Sequence, residues 1–393
     1  MAHASTADWV VLVLVVGARL LVPLLIGRWP LPAIIASLVI DGVDNSLFQA
    51  FTDLDLTNYQ SYDKALDVYY LAITYLAVLR NWRDPFSVKV VAALWYYRLV
   101  GVLAFELTGA RWLLLAFPNT FEYVVIAIEV VRTRWDARRL SRSAVLWLTA
   151  AVWVVVKLPQ EWWIHVAQLD FTDEFKSRVL GVDPDDGWAA GFAHRPWVAV
   201  VLVALVVVLA LVARWVWPRL PRPDWAFTVD ADEVARRTDA LGPYRPEPGA
   251  PSLRAGAVTA WAVVEKALLA GLVTTILVSS YPRIDARWWA ALLVVSATVL
   301  VHCGIQVWRL RAGRPGPTSL GRQLALNTAV SLVAMGVLTA LVSGSRTTGV
   351  ALGDAILFAY VVALVTTLYD RWAPAGWARA TGTTARRVPA RAA

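Results

Sequence analysis

Arg98, Glu106, Glu122 and Glu129 stand inside stretches of sequence apolar enough to cross a bilayer. A bare charge there costs at least a few kcal/mol, so groups kept at that depth usually face a bundle interior or water and carry protons, ions or substrate. The 3.6-residue period sets Asn119, Glu122 and Glu129 on one helical stripe, the geometry of a proton or cation relay. Lys157, in the next apolar stretch, extends the candidate pathway. Arg98 is expected to neutralise Glu106 or Glu122, since an unpaired carboxylate in that medium is the costlier arrangement.

A second set is acidic. Tyr59, Asp63, Asp67, Tyr70 and Thr74 recur at intervals of four and three, so they share one helix face. With Asp41 and Asp44, the pair Asp63 and Asp67 offers the oxygen ligands that a hard divalent cation such as Mg or Ca favours, while Asp53 and Asp55 read as a solvated loop. The carboxylate spacing is similar to that of the CDP-alcohol phosphotransferases, whose pattern is D-x2-D-G-x2-A-R followed by G-x3-D-x3-D. Asp41 and Asp44, then Asp63 and Asp67, match its four aspartates. The resemblance implies metal ions that activate an acceptor alcohol. The other positions depart from it: Asn45 and Tyr59 replace the glycines, and Phe48-Gln49 replaces Ala-Arg.

A third set follows Pro159. Glu161, His165 and Gln168 fall on one helix face, and Glu and His four apart can shuttle protons or hold part of a metal site. Neither HExxH nor a Cys/His set accompanies them, and Trp162 and Trp163 alongside also suit an interfacial helix. Glu161, His165 and Asp67 are the candidate catalytic groups.

The elements that must position these residues are transmembrane helices. The 393 residues are 58% hydrophobic and 17% charged, too apolar for a soluble chain of this length, and disorder is excluded on the same ground. The fold expected is all-α, a polytopic bundle of about eleven spans with ten as the lower count. The spans centre in Trp9–Ile26, Leu31–Phe51, Tyr62–Leu79, Phe86–Leu107, Trp112–Val131, Ala144–Val166, Trp197–Val216, Ala257–Ser279, Trp288–Val307, Leu324–Val342 and Val350–Leu368. The second is the weakest, because Asp41, Asp44 and Asn45 suit a re-entrant segment equally well. Residues 1–217 form a first bundle holding the main polar clusters. A proline-rich linker, 218–256, with a short helix near Asp232 to Leu241, separates it from a second bundle, 257–370, and a basic tail, 371–393. In the second bundle Glu265, Lys266, His302, Gln306, Asn327 and Asp354 read as scattered core polar groups.

Sidedness follows from the arginines. Arg132 to Arg142 holds five, Arg214 to Arg254 seven, Arg309 to Arg322 four and the tail from Asp370 five, all on one side if the spans alternate. Positive residues favour the cytoplasm, which sets the N-terminus outside, the C-terminus inside and the chain in the plasma membrane. The same topology accounts for 37 Lys+Arg against 29 Asp+Glu without nucleic acid as a partner. Six Arg-Trp pairs at span ends, Arg134-Trp135 and Arg214-Trp215 among them, fit headgroup depth.

The first function expected is a transporter or permease for a small solute, with Arg98, Glu106, Asn119, Glu122, Glu129 and Lys157 lining its pathway. The alternative is a membrane-embedded enzyme acting on a lipid or lipid-linked substrate at the outer face, with a divalent cation held by the aspartates. A third reading is an accessory subunit without chemistry of its own. Substrate and oligomeric state are not encoded in these patterns.

Overall fold

The computed structural model describes residues 6–52, 59–167, 169, 171–184, 186–241, 255–279, 288–312, 319–343 and 352–380, and among these there is no strand. The first bundle comprises α1 (Thr6–Leu21, extended by the 3-10 turn Val22–Gly27), α2 (Pro30–Phe51), α3 (Tyr59–Asn81), α4 (Pro85–Thr108), α5 (Trp112–Ala116), α6 (Thr120–Arg132) and α7 (Arg142–Val166). Then come α8 (Trp188–His194), α9 (Pro196–Val216) and, in the linker, α10 (Ala231–Ala240). The second bundle is α11 (Ala255–Ser279), α12 (Trp288–Arg311), α13 (Leu320–Ser343) and α14 (Leu352–Ala380). Among the described residues, six segments are long and apolar enough to cross a membrane: Asp8–Gly27, Pro85–Thr108, Trp112–Arg132, Arg142–Val166, Pro196–Arg219 and Ile356–Ala373. The chain is thus an all-helical protein built for a membrane. The weak second stretch forms one continuous helix, α2, and α14 runs past residue 370 into what the sequence suggested was tail.

Local chemistry explains the helix ends. Asp84 caps α4 by accepting from the N–H groups of Phe86 (3.3 Å) and Ser87 (3.0 Å), with Pro85 in the first turn where no N–H is needed. Gly109 closes the same helix in the left-handed conformation, φ +69°.

α3 sits at the centre. It packs on α14 and α11 on one side and on α1, α2 and α4 on the others. One continuous core therefore joins both bundles, with Tyr69, Ile73, Leu76 and Leu79 of α3, Trp95 of α4, Phe121 of α6, Val273 of α11 and Val365 of α14 all buried. The linker divides the sequence but not the packing. α9 lies at the opposite extreme: only Val198 of its residues is buried, and its principal neighbours are the segments adjoining it in sequence.

Candidate functional site

The acidic set of α2 and α3 converges on Arg19. This guanidinium, buried in α1, pairs with Asp41 and Asp44 of α2 and reaches Asp67 of α3 at 3.1 Å. Asp44 is fully buried and Asp67 partly exposed. The planar five-donor fork of arginine suits several carboxylates at once. Among the described residues no group of three or more His, Cys, Asp and Glu has the geometry to hold a metal ion, so a divalent cation here would compete with Arg19. The side chains of Tyr59 and Asp63, and all of Asp53, Asp55 and Gln168, lie outside the described residues. Sequence reasoning missed Arg19, although it is the only charge between Trp9 and Ile26 and intramembrane cations are functional candidates by default.

One turn along α3 from Asp67, the Tyr70 hydroxyl donates to Glu122 Oε1. Glu122 sits just inside α6 because the span it belongs to is broken: α5 ends at Ala116, Pro118 follows, and α6 starts at Thr120. The freed carbonyls find donors, the Tyr97 hydroxyl on Ala116 O (2.6 Å) and Arg98 Nη1 on Phe117 O (2.9 Å). Such a break is tolerated at membrane depth only where protein resatisfies the backbone. Gly101 of α4 makes room for it, since a Cβ there would fall 2.1 Å from Phe117 Cβ.

α7 is also irregular. Its segments Val152–Lys157 and Trp162–Val166 are π-helical, a wider winding that is rare and frequently found at functional sites. Between them Lys157, Glu161 and His165 meet the α5–α6 break. Glu161 Oε1 accepts the Asn119 N–H (3.1 Å), and Glu161 Oε2 lies 3.0 Å from His165 Nε2. Lys157 Nζ and Arg98 Nη1 stand 3.8 and 4.0 Å from Glu161 Oε1. The side chain of Asn119 turns the other way, its amide donating to Glu122 Oε2 (3.0 Å). Arg98 pairs with Glu161 at 4.0 Å and also acts electrostatically on Glu122, one of the two partners expected for it.

Two sets of polar contacts lie one turn apart on α3: Arg19 with its aspartates, and a run from Tyr70 through Glu122, Asn119 and Glu161 to His165. Glu129 is not part of it. Two turns further along α6, about 10 Å, it accepts from Trp82 Nε1 (2.6 Å) and Arg132 Nη1 (2.5 Å), with Val125 and Ile128 buried between it and Glu122.

The linker covers that end. Asp224 pairs with Arg139 (2.6 Å), Asp230 with Arg28 (3.4 Å), Asp232 with Arg80 (2.6 Å) and Asp239 with Arg83 (3.1 Å), while Trp225 Nε1 donates to Arg132 O (3.2 Å). Asp230 also caps α10. Slight burial opposes its ionisation, but the N–H groups of Asp232 and Glu233 and the Arg28 guanidinium outweigh that and hold its carboxyl below the usual aspartate range.

In the second bundle the polar residues are gathered rather than scattered. Buried Glu265 of α11 accepts from three tyrosines: Tyr75 (2.5 Å) of α3, Tyr96 (3.2 Å) of α4 and Tyr369 (2.6 Å) of α14. Lys266 Nζ pairs with Asp370 (2.6 Å), which Gln306 also meets, and His302 Nε2 lies 3.1 Å from Ser331 Oγ. Asn327 donates to Thr367 (2.7 Å); the side chain of Asp354 lies outside the described residues. No family model, no curated protein and no solved structure matches this chain, so the likeness to the phosphotransferases rests on the spacing of four aspartates alone.

Proposed function

We propose that the protein is a proton-coupled transporter of a small solute, crossing the plasma membrane eleven times with its N-terminus outside. The observation that carries this reading is the run from Tyr70 through Glu122, Asn119 and Glu161 to His165, built where a span breaks and its neighbour winds as a π-helix. Ionisable groups linked in series inside apolar helices, at a discontinuous helix, are the construction that alternating-access carriers use for substrate and coupling ions. Glu122 suits proton carriage because both of its partners serve either protonation state. A hydroxyl donates or accepts, and the Asn119 amide can present Nδ2 to a carboxylate or, turned over, Oδ1 to an acid. The apolar segment between Glu122 and Glu129 then closes the inner half of the pathway in this conformation. The alternation of spans is supported by the linker, which contacts chain ends following α1, α3 and α6, three points that an odd-numbered crossing brings to one side.

A second reading, an enzyme acting on a lipid at the outer face, is favoured by one observation. His165 is partly exposed and its imidazole is held by the buried Glu161, as a general base would be. One set of measurements separates the two. Proteoliposomes containing a pH-sensitive dye and given an inward-negative potential should acidify with the parent protein. Glu122→Gln should lose most of that flux, and Glu129→Gln should also lower it, with folding intact by melting. Flux unchanged in Glu122→Gln would remove the transport reading. A rise in melting temperature with Mg, Mn, Ca or Zn that Asp67→Asn abolishes would put the metal-dependent enzyme in its place.

A further inference from the structure

Two groups stand out among the arginines on the linker side. Arg28, Arg80, Arg83, Arg139, Arg236 and Arg237 each hold a carboxylate of the linker. Arg134, Arg214, Arg219 and Arg222 meet no carboxylate among the described residues. The only acid between residues 214 and 227, Asp224, is engaged by Arg139 and by the N–H of Asp136 (2.9 Å).

These four arginines occur where α9 ends. The Arg134 guanidinium stacks 5.0 Å from the ring centre of Trp217 and 5.8 Å from that of Phe227. Arg219 lies 3.7 Å over Trp215 and donates to the carbonyl of the same residue. Stacking uses the faces of a guanidinium and leaves donors free along its edge, the edge that grips a phosphate with two parallel hydrogen bonds. The turn is pinned rather than loose, because the Arg134 carbonyl accepts from Asp224 N (3.0 Å) and Trp225 N (3.3 Å), and Trp135 Nε1 donates to Pro221 O (3.1 Å).

The surroundings identify the kind of anion. Trp215, Trp217 and Phe227 are 61%, 57% and 59% exposed, too much aromatic surface to leave in water. They sit at the end of a helix with one buried residue, which presents apolar side chains all round to the hydrocarbon. Aromatic rings and guanidinium groups at the level where such a helix ends lie at headgroup depth. We propose that Arg134 and Arg219, flanked by Arg214 and Arg222, form a binding site for the phosphate of an anionic phospholipid, with the exposed rings seated among its glycerol and acyl-chain carbons. The site anchors α9, which the rest of the protein scarcely touches, to the leaflet on the linker side.

The test uses the full chain in detergent after exposure to mixed phosphatidylcholine and phosphatidylglycerol, with each lipid retained through washing quantified. The parent should retain phosphatidylglycerol in preference. Arg219→Gln, a change to an exposed side chain, should lower that retention about fivefold, and Arg134→Gln with Arg219→Gln by about fivefold for each arginine. Arg236→Gln, which removes a similarly placed but carboxylate-paired arginine, should leave it unchanged. Equal retention in the parent and the double variant, or an equal fall in Arg236→Gln, would overturn the site. So would displacement of the lipid by millimolar inorganic phosphate, since the pocket would then be a phosphate site and not a lipid one.

Discussion

Glu122 and Glu161 are the same residue type at similar depth, yet they are held differently. Neutral donors grip Glu122, the Tyr70 hydroxyl and the Asn119 amide, whereas Glu161 has His165 at 3.0 Å and two cations within 4.0 Å. This difference gives them separate tasks in the proposed cycle, Glu122 carrying the proton and Glu161 fixing the cations around the broken helix. The Tyr70–Glu122 bond is the link most open to test. Tyr70→Phe should cost about 1–3 kcal/mol, because it leaves a buried carboxylate short of a donor. Tyr70→Phe combined with Glu122→Gln should cost less than the two single changes summed, as read from unfolding in detergent; strict additivity would remove the bond. Arg98, Asn119, Glu122, Lys157, Glu161 and His165 were all legible in the sequence, since polar groups in apolar runs stand out. Their partners were not. Helical period reveals which residues share a face but not which helix that face meets, and so Glu161 was not foreseen as a partner of Arg98. Tyr70 was named on the polar face of its helix without its bond to Glu122, whereas Tyr75, Tyr96 and Tyr369 were missed because a tyrosine in a span does not stand out until a carboxylate is found at its hydroxyl.

The helices themselves were the most legible feature, the eleven apolar stretches being helical where described apart from the break at Phe117 to Asn119. Their irregularities were only half visible. Pro118 advertises a break, but the π-helical winding of α7 has no sequence signal, because it arises from what α7 must meet rather than from propensity. The linker helix α10 was foreseen within a residue of each end, between the prolines on either side, and the structure adds its cap at Asp230. Beside its buried Ala231, Val234 and Thr238, its ion pairs are exposed, a kind of contact individually worth little. Its docking should therefore depend on pH with a defined sign. The folded carboxyl of Asp230 is held below the ordinary aspartate range, so its contribution is complete above that range and disappears as pH falls through the lowered value. Protease cleavage within 224–240 should rise in that acidic window, and Asp230→Ala should raise cleavage near neutral pH while flattening its acid dependence. Cleavage in Asp230→Ala equal to the parent at every pH would show that the Arg28–Asp230 contact does not hold the linker.

At the scale of the whole molecule, the two bundles read from sequence share one core, and Glu265 is where they join. It takes hydroxyls from α3 and α4 of the first bundle and from α14 of the second. Glu265→Ala should deprive two buried hydroxyls and one partly buried one of this acceptor and destabilise the protein by several kcal/mol, with Glu265→Gln milder. Both bundles should lose stability together, measured by hydrogen exchange in α4 and α14, and a loss confined to α14 would show that the carboxylate does not bind the halves. The sequence hid this because a chain break at a proline-rich linker implies separate units, while packing follows apolar surface. α3 carries both joints. Tyr70 and Tyr75 are five positions apart, about 140° around the cylinder, and each hydroxyl grips an acid on a different neighbour, Glu122 or Glu265. A rigid rod cannot turn about its own axis and keep both grips. The two grips together therefore lock α3 in azimuth, like a shaft keyed at two points, and any turn about its axis must break at least one of them.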